Sequence, residues 1–158
     1  MTHEEHLAHT AIHATLAACT QAGDARKADA YAESFTEDGV LEFDRRIEGR
    51  ETIRAWMSAP SVIPRPASAA PAFVSHHLTT CRITLTAPDA ASVRTYWLVI
   101  TAAGLDHSGY YDDRFRKVGE SWLIEHRRTR TLWKAEQGLV TAGGQVRSGE
   151  GALPPTGT

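Results

Sequence analysis

The sequence predicts one α+β domain in which a curved antiparallel sheet packs against N-terminal helices and curls into a cone around a central pocket. Two observations predict this architecture. Stretches with helical periodicity occupy the first part of the 158-residue chain, and four strand-like stretches joined by short turns occupy the second half. Helices gathered ahead of a strand meander are typical of α+β domains, and a sheet covered by helices on one face leaves a pocket between the layers. We place the domain at residues 1–134 and a flexible C-terminal tail at residues 135–158.

The first predicted helix spans residues 4–20. Ala8, Ile12, Leu16 and Cys19 fall at spacings of three and four and form its apolar face. Histidines along a neighbouring stripe indicate a solvated face, because no carboxylate completes a metal-ligand set and the HExxH pattern is absent. These histidines are His3, His6, His9 and His13. No metal site is predicted.

A helix break and two shorter helices follow. Gly23 permits the left-handed conformation that ends helices, and Asp24 can cap the next one. The pattern predicts a second helix over 26–34, a turn, a short strand over 40–43 and a third helix over 49–57. The predicted inward side chains of the two helices are Ala28, Tyr31, Ala32, Phe35, Ile53, Trp56 and Met57.

The segment 58–75 is predicted to be a long loop. It contains four prolines and many alanines, which exclude regular structure. An ordered loop of this length in a small domain is often the lid or rim of a site. After it, strands are predicted at residues 76–86, 91–101, 107–117 and 121–132.

The composition narrows the range of partners. Lys plus Arg is 17 and Asp plus Glu is 19, so the formal charge is −2, and no basic stripe indicates nucleic acid. Cys19 and Cys81 have no metal-ligand spacing and do not make a disulfide framework. The polar N-terminus lacks a signal-peptide core, and no apolar run approaches the ~18 residues of a membrane span. We expect a soluble cytoplasmic protein with a small-molecule substrate and no nucleic-acid or membrane partner.

Two adjacent histidines open the first long strand, where a side chain is well placed to face a cavity. Simple alternation places His77 on the face of Ile83 and His76 on the face of Arg82. If the core lies on the Ile83 face, His77 points inward unless a β-bulge shifts the register. Alternation alone therefore favours His77 and leaves His76 dependent on a bulge.

Further polar and aromatic residues are candidates for the pocket. The predicted substrate contacts are Tyr31, His77, Tyr96, Tyr110 and Trp122, and Trp97 is a further candidate to line the pocket. Asp106 and His107 are interpreted as a solvated turn, with a second acid–base couple as the alternative. The charge run Arg127, Arg128 and Arg130 is interpreted as an exposed or subunit-facing strand edge.

Several short motifs occur one after another within residues 7–133. They are Gly23-Asp24, Phe35-Thr36-Glu37-Asp38-Gly39-Val40-Leu41, Gly49-Arg50-Glu51-Thr52-Ile53, His76-His77-Leu78, Tyr96-Trp97-Leu98-Val99, Gly109-Tyr110-Tyr111-Asp112-Asp113-Arg114-Phe115 and Trp122-Leu123-Ile124-Glu125-His126-Arg127-Arg128. Their order and spacing resemble the nuclear-transport-factor-2-like superfamily, and within it the SnoaL-like domains. The resemblance implies a cone-shaped α+β barrel. The fold by itself does not define an activity.

The chain is most similar to a branch with scytalone dehydratase, bile-acid 7α-dehydratase and hexachlorocyclohexane dehydrochlorinase, which use a His–Asp pair inside the cone. The resemblance implies that Asp24, eleven residues before Phe35, and His76, six residues before Arg82, form this pair. The chain departs from the pattern in two places. Residues 101–103 offer no second histidine, and a tyrosine of the first helix is replaced near Cys19.

A His–Asp pair in an apolar pocket points to acid–base chemistry without a metal or organic cofactor. Imidazole titrates near ~6.5, so it can take a proton from carbon or oxygen and return it, and a carboxylate orients the ring. We expect a dehydratase-like lyase or an isomerase acting on a small, mostly apolar or polycyclic substrate. The alternatives are a non-catalytic ligand-binding or accessory domain, and a polyketide-type cyclase or epoxide hydrolase. The resemblance also implies a homodimer or homotrimer.

Overall fold

The computed structural model describes residues 1–60, 74–136 and 138. In this part of the chain, three helices precede or interrupt six strands. The helices are α1 (His3–Asp24), α2 (Ala28–Glu33) and α3 (Arg50–Ser58). The strands are β1 (Phe35–Glu42), β2 (Arg46–Glu48), β3 (Val74–Ala87), β4 (Ala90–Thr101), β5 (Gly104–Val118) and β6 (Ser121–Lys134).

All six strands form one sheet in the order β2-β1-β6-β5-β4-β3. The four long strands predicted at the back of the chain form an antiparallel meander, which confirms that part of the prediction. β1 pairs with β6 in parallel, so the sheet is mixed rather than purely antiparallel. β2 and β3 lie at the two edges, so the sheet stays open, and bulges in several strand pairs bend it.

Helix α1 covers the inner face of the sheet. A capping box formed by Thr2 and Glu5 starts it. Its predicted apolar face is confirmed, because Ile12, Leu16 and Cys19 are buried in the core. The centre of the core consists of Phe35, Ile53, Val93, Phe115, Trp122 and Ile124.

The predicted end of α1 at residue 20 is four residues too early. The helix continues to Asp24, and Arg26 rather than Gly23 takes the left-handed conformation, with φ of 55°. Gly23 packs closely on Tyr31, because a Cβ there would lie 3.3 Å from the ring and would require it to shift by a few tenths of an ångström. Asp24 does not cap α2, whose N-cap is Lys27 with no side-chain hydrogen bond.

The predicted turn at 35–39 lies inside β1, which is irregular between Phe35 and Val40. The short strand β2 was not predicted. α3 matches its prediction and begins after Gly49, whose φ of 86° explains the glycine. Ile53 and Met57 are buried as predicted.

Two predictions fall largely outside the described residues: the loop at 58–75 as a lid or rim, and the flexible tail at 135–158. Ser58 lies in α3, and Val74 and Ser75 already belong to β3. Within residues 1–60, 74–136 and 138, no helix is long and apolar enough to cross a membrane.

Candidate active site

His76 and Asp24 form a two-point contact between β3 and the last residue of α1. The Nδ1 atom of His76 lies 2.6 Å from Oδ1 of Asp24, and the backbone N–H of His76 donates to Oδ2 at 2.9 Å. Because an ionised carboxylate can only accept, Nδ1 carries the hydrogen and Nε2 is left as an acceptor. The two side chains are 32% and 21% exposed, so a small molecule can reach them.

A β-bulge turns His76 inward. Leu78 pairs with Trp97 and Cys81 pairs with Thr95, so β3 holds one more residue than β4 between these pairs. The extra residue shifts the alternation and places His76 on the same face as Cys81. His77 therefore faces the other side of the sheet, where it is exposed and contacts Ser75 at 3.1 Å.

Trp97 lies at the centre of the inner face near His76. Its ring is 6.4 Å from the ring of His76, 5.3 Å from His107 in an edge-on arrangement, and 5.7 Å from Tyr111. Gly109 makes room for it, because a Cβ at Gly109 would lie 2.7 Å from Cζ2 of the indole. Trp97 is buried, and its Nε1–H has no acceptor among the described residues.

Asp106 and His107 are buried on the same inner face, which corrects the interpretation as a solvated turn. Nδ1 of His107 lies 2.7 Å from Oδ1 of Asp106, and the side chains are 13% and 0% exposed. Burial lowers the pKa of His107, and Asp106 opposes this shift. The sequence had offered a second acid–base couple only as the alternative, because residues 102–106 resembled an ordinary strand connection.

Arg127 is also buried, so its interpretation as part of an exposed edge was wrong. It forms two hydrogen bonds with Asp113, at 3.0 and 2.7 Å. Its guanidinium lies 4.1 Å from the centre of the Tyr111 ring, and Nη1 is 3.5 Å from Sγ of Cys19. Burial works against the charge of Arg127, but Asp113 raises its pKa well above the ordinary value. Arg127 therefore stays protonated in the interior.

The register of β5 and β6 explains why Arg127 is buried. Arg114 pairs with His126 and Phe115 with Ile124, so a bulge in β6 reverses the alternation between Ile124 and Arg127. Asp113 and Phe115 are two residues apart on β5, so the strand alternation places both side chains on the same face. This alternation was the one sequence signal for a buried charge at this position.

Two tyrosines near this pair have desolvated hydroxyls. Burial raises the pKa of Tyr31 and of Tyr111, and Arg127 opposes the shift in both cases. Tyr31 also packs against Phe35 and Trp56, with ring centres 5.5 and 6.3 Å away. Tyr31 thus lies between the aromatic core and the Arg127 cluster, in agreement with its prediction as an inward residue.

Three other predicted contacts do not lie beside His76. Tyr96 pairs with Tyr110 across β4 and β5, and both alternate with buried neighbours, so they lie on the outer face of the sheet. Trp122 is a core residue, only 4% exposed. Strand alternation therefore places Tyr96, Tyr110 and His77 on the outer face, and Trp122 belongs to the core.

A shallow hollow of about 290 Å³ lies elsewhere on the sheet. It is lined mainly by outer-face side chains: Thr80, Cys81, Arg82, Arg94 and Tyr96. The hollow contains neither imidazole pair. Among the described residues, no three His, Cys, Asp or Glu side chains lie together in a way that would hold a metal ion.

The sheet is bent and open, helices cover its inner face, and polar pairs lie between the two layers. These features define a small α+β domain with an internal site. The family model of the SnoaL-like domain matches residues 4–128. The chain therefore belongs to the SnoaL-like domain family, as the sequence motifs predicted.

Solved structures agree with this assignment. A variant of Rv3472, a protein of unknown function from Mycobacterium tuberculosis, is 29% identical over 82% of this chain and 74% of that one, with a TM-score of 0.70. A protein named as a suggested scytalone dehydratase from Novosphingobium aromaticivorans is 21% identical over 95% and 100%, with a TM-score of 0.75. An NTF2-like protein with a cystatin-like fold, from the same organism, is 20% identical over 81% and 84%, with a TM-score of 0.68. No curated protein matches the sequence significantly.

Proposed function

We propose that the protein is a cofactor-independent lyase of the dehydratase type, or an isomerase, with His76 as general base and Asp24 as its orienting partner. The observation that carries the proposal is the two-point contact, with Nδ1 at 2.6 Å from Oδ1 and the backbone N–H at 2.9 Å from Oδ2. This contact fixes both the tautomer and the direction of the ring. Nε2 is thereby free to accept a proton.

The chemistry follows from this geometry. Nε2 of His76 takes a proton from a carbon next to an electron-withdrawing group, and Asp24 stabilises the imidazolium that forms. The electrons of the broken C–H bond form a carbon–carbon double bond as the neighbouring C–O bond breaks. The departing hydroxide takes the proton from the imidazolium, which releases water and restores neutral His76. Return of the proton to a different carbon instead gives an isomer.

The surroundings support a substrate that is small and mostly apolar. Trp97 packs beside the His76 ring and Tyr111 packs on Trp97, so the surroundings of His76 are aromatic, and the partial exposure of the His76 ring provides access. The structural neighbour named as a suggested scytalone dehydratase is consistent with elimination from a ring compound. At 21% identity it supports the shared fold, and the extension to activity belongs to this proposal.

The proposal is tested with a panel of cyclic β-hydroxy ketones, whose loss of water is followed by the absorbance of the conjugated product. We expect turnover of at least one member by the full chain. H76A and D24N should each lose about 10²–10⁴-fold in kcat/KM. H77A is the matched control, because His77 is the next residue of β3 and points to the opposite face; it should keep wild-type activity. Equal rates for wild type, H76A and D24N would overturn the assignment.

A further inference from the structure

A second imidazole lies in the same row of the sheet as His76. His76 pairs with Val99, and Val99 pairs with His107, so the three residues lie side by side on β3, β4 and β5. Residues directly opposite in antiparallel strands share a face, and neighbouring strands are 4.7–4.9 Å apart, so the two histidine Cα atoms are ~10 Å apart. The two imidazoles therefore lie on the inner face of one sheet, on either side of Val99.

Trp97 connects the two histidines. Its ring packs against both imidazoles, at 6.4 Å from His76 and 5.3 Å from His107. His76 is also one of the charges that act on His107, together with Asp106 and Lys134. A ring compound that contacts the exposed parts of His76 and His107 would thus reach both imidazoles.

The hydrogen-bonding role of His107 is set by Asp106. The carboxylate of Asp106 is fully buried and lies 2.7 Å from Nδ1 of His107. As in the first pair, the carboxylate accepts from Nδ1–H, so Nε2 of neutral His107 has only a lone pair to offer. Burial favours this neutral form, because it lowers the pKa of His107. His107 consequently presents an acceptor and no donor.

We propose that Nε2 of His107 accepts a hydrogen bond from a hydroxyl group of the substrate, so that the pocket selects hydroxylated ring compounds over their ether or unsubstituted analogues. The inference rests on the proposed function in one respect: the exposed part of His76 is taken as belonging to the substrate site. In this arrangement His76 takes a proton from a C–H bond of the substrate. His107 accepts a hydrogen bond from an O–H group on the other side of Val99. His107 is thereby a specificity-determining residue.

The acceptor atom of His107 determines which ligands the site prefers. A site built to bind a hydroxyl hydrogen discriminates against analogues that lack it, because a buried acceptor is then left unpaired. A methyl ether keeps the oxygen of a phenol but removes its hydrogen, and it also adds a methyl group. β-Naphthol and its methyl ether are therefore a suitable pair of probes, since both have the same flat two-ring body and differ only at the oxygen.

The experiment measures the Kd of both probes by calorimetry for the full chain and for two matched variants, H107N and H76N. An asparagine amide can take the place of Nδ1 and donate to the neighbouring carboxylate, but it has no group in the place of Nε2. Each variant thus keeps its Asp partner and loses the acceptor. Circular dichroism and thermal unfolding verify that both variants fold.

We expect the wild-type protein to bind β-naphthol roughly three- to tenfold more tightly than the methyl ether. H107N should lose this preference and H76N should keep it. Equal affinities in the wild type would overturn the inference and leave the proposed function intact, because that function depends on His76. Loss of the preference in H76N alone would assign the hydroxyl to His76 and likewise overturn it. Failure of both probes to bind would count against both proposals.

Discussion

His76 and Cys81 point to the same face of β3 although they are five residues apart, an odd separation that places side chains on opposite faces of a regular strand. The bulge at Thr79 and Thr80 accounts for this. It allows an inward histidine at the start of the strand and an apolar inward face at its end. The position of the candidate base thus depends on one extra residue.

Deleting Thr80 should preserve the His76–Asp24 contact, because the strand becomes regular with both halves still facing inward. Deleting Thr84 is the matched control. There the regular alternation is broken between Ile83 and Leu85, which become adjacent, so one of these two side chains must turn outward. We expect the Thr84 deletion to cost at least about 2 kcal/mol more in unfolding free energy than the Thr80 deletion, as measured with urea. Equal losses would contradict the assigned bulge.

The Arg127–Asp113 pair should be a major contributor to stability. Replacing Arg127 by Met leaves Asp113 buried without its partner, and we expect a loss of about 3–5 kcal/mol in unfolding free energy. The double variant R127M/D113L should regain much of that loss. The comparison is the Arg94–Asp112 pair. Asp112 is the residue before Asp113 on β5, and this pair lies on the outer face with side chains about 40% exposed. R94M should cost less than about 1 kcal/mol. Similar losses for R127M and R94M would show that burial of the first pair is misassigned.

The pH dependence of stability should report the burial of His107. Its pKa in the folded state lies below the unfolded value of about 6.5, so the unfolded chain binds more protons between these two values. The contribution of His107 to stability is therefore present above about pH 6.5 and is lost as the pH falls toward the folded pKa. Asp106, His76 and Lys134 are the charges that act on it. Urea unfolding at several pH values should show a shallower acid-side decline for H107N than for the wild type. Identical slopes would contradict the assigned burial.

Local sequence patterns predicted the elements well, because each depends on neighbouring residues. The apolar face of α1 and the four long strands follow from periods of 3.6 and 2. The parallel pairing of β1 with β6 was not visible, since it joins residues such as Val40 and His126 that are far apart in the sequence. Non-local pairing of this kind leaves no periodic signal in either segment.

The candidate site was predicted in part, and the errors share a cause. His76 and Asp24 were identified from the resemblance, while alternation favoured His77. A bulge in β3 reverses the alternation that favoured His77, and a bulge in β6 buries Arg127, which was interpreted from its charge run. A bulge depends on cross-strand register and bending of the sheet, and one strand's sequence does not encode it by itself. The Asp106–His107 couple was only the alternative interpretation, because the burial of His107 depends on Asp106 and Trp97 together.

The central claim is that His76, oriented by Asp24, takes a proton from carbon. Exchange of the α-hydrogens of β-tetralone in D₂O, followed by proton NMR, tests this step most directly because no leaving group is needed. The wild-type protein and H77A should accelerate the exchange over buffer, and H76A and D24N should lose about 10²–10⁴-fold of that acceleration. H107N should retain exchange, since its proposed role is to bind a hydroxyl that β-tetralone lacks. Undiminished exchange in H76A would contradict the account.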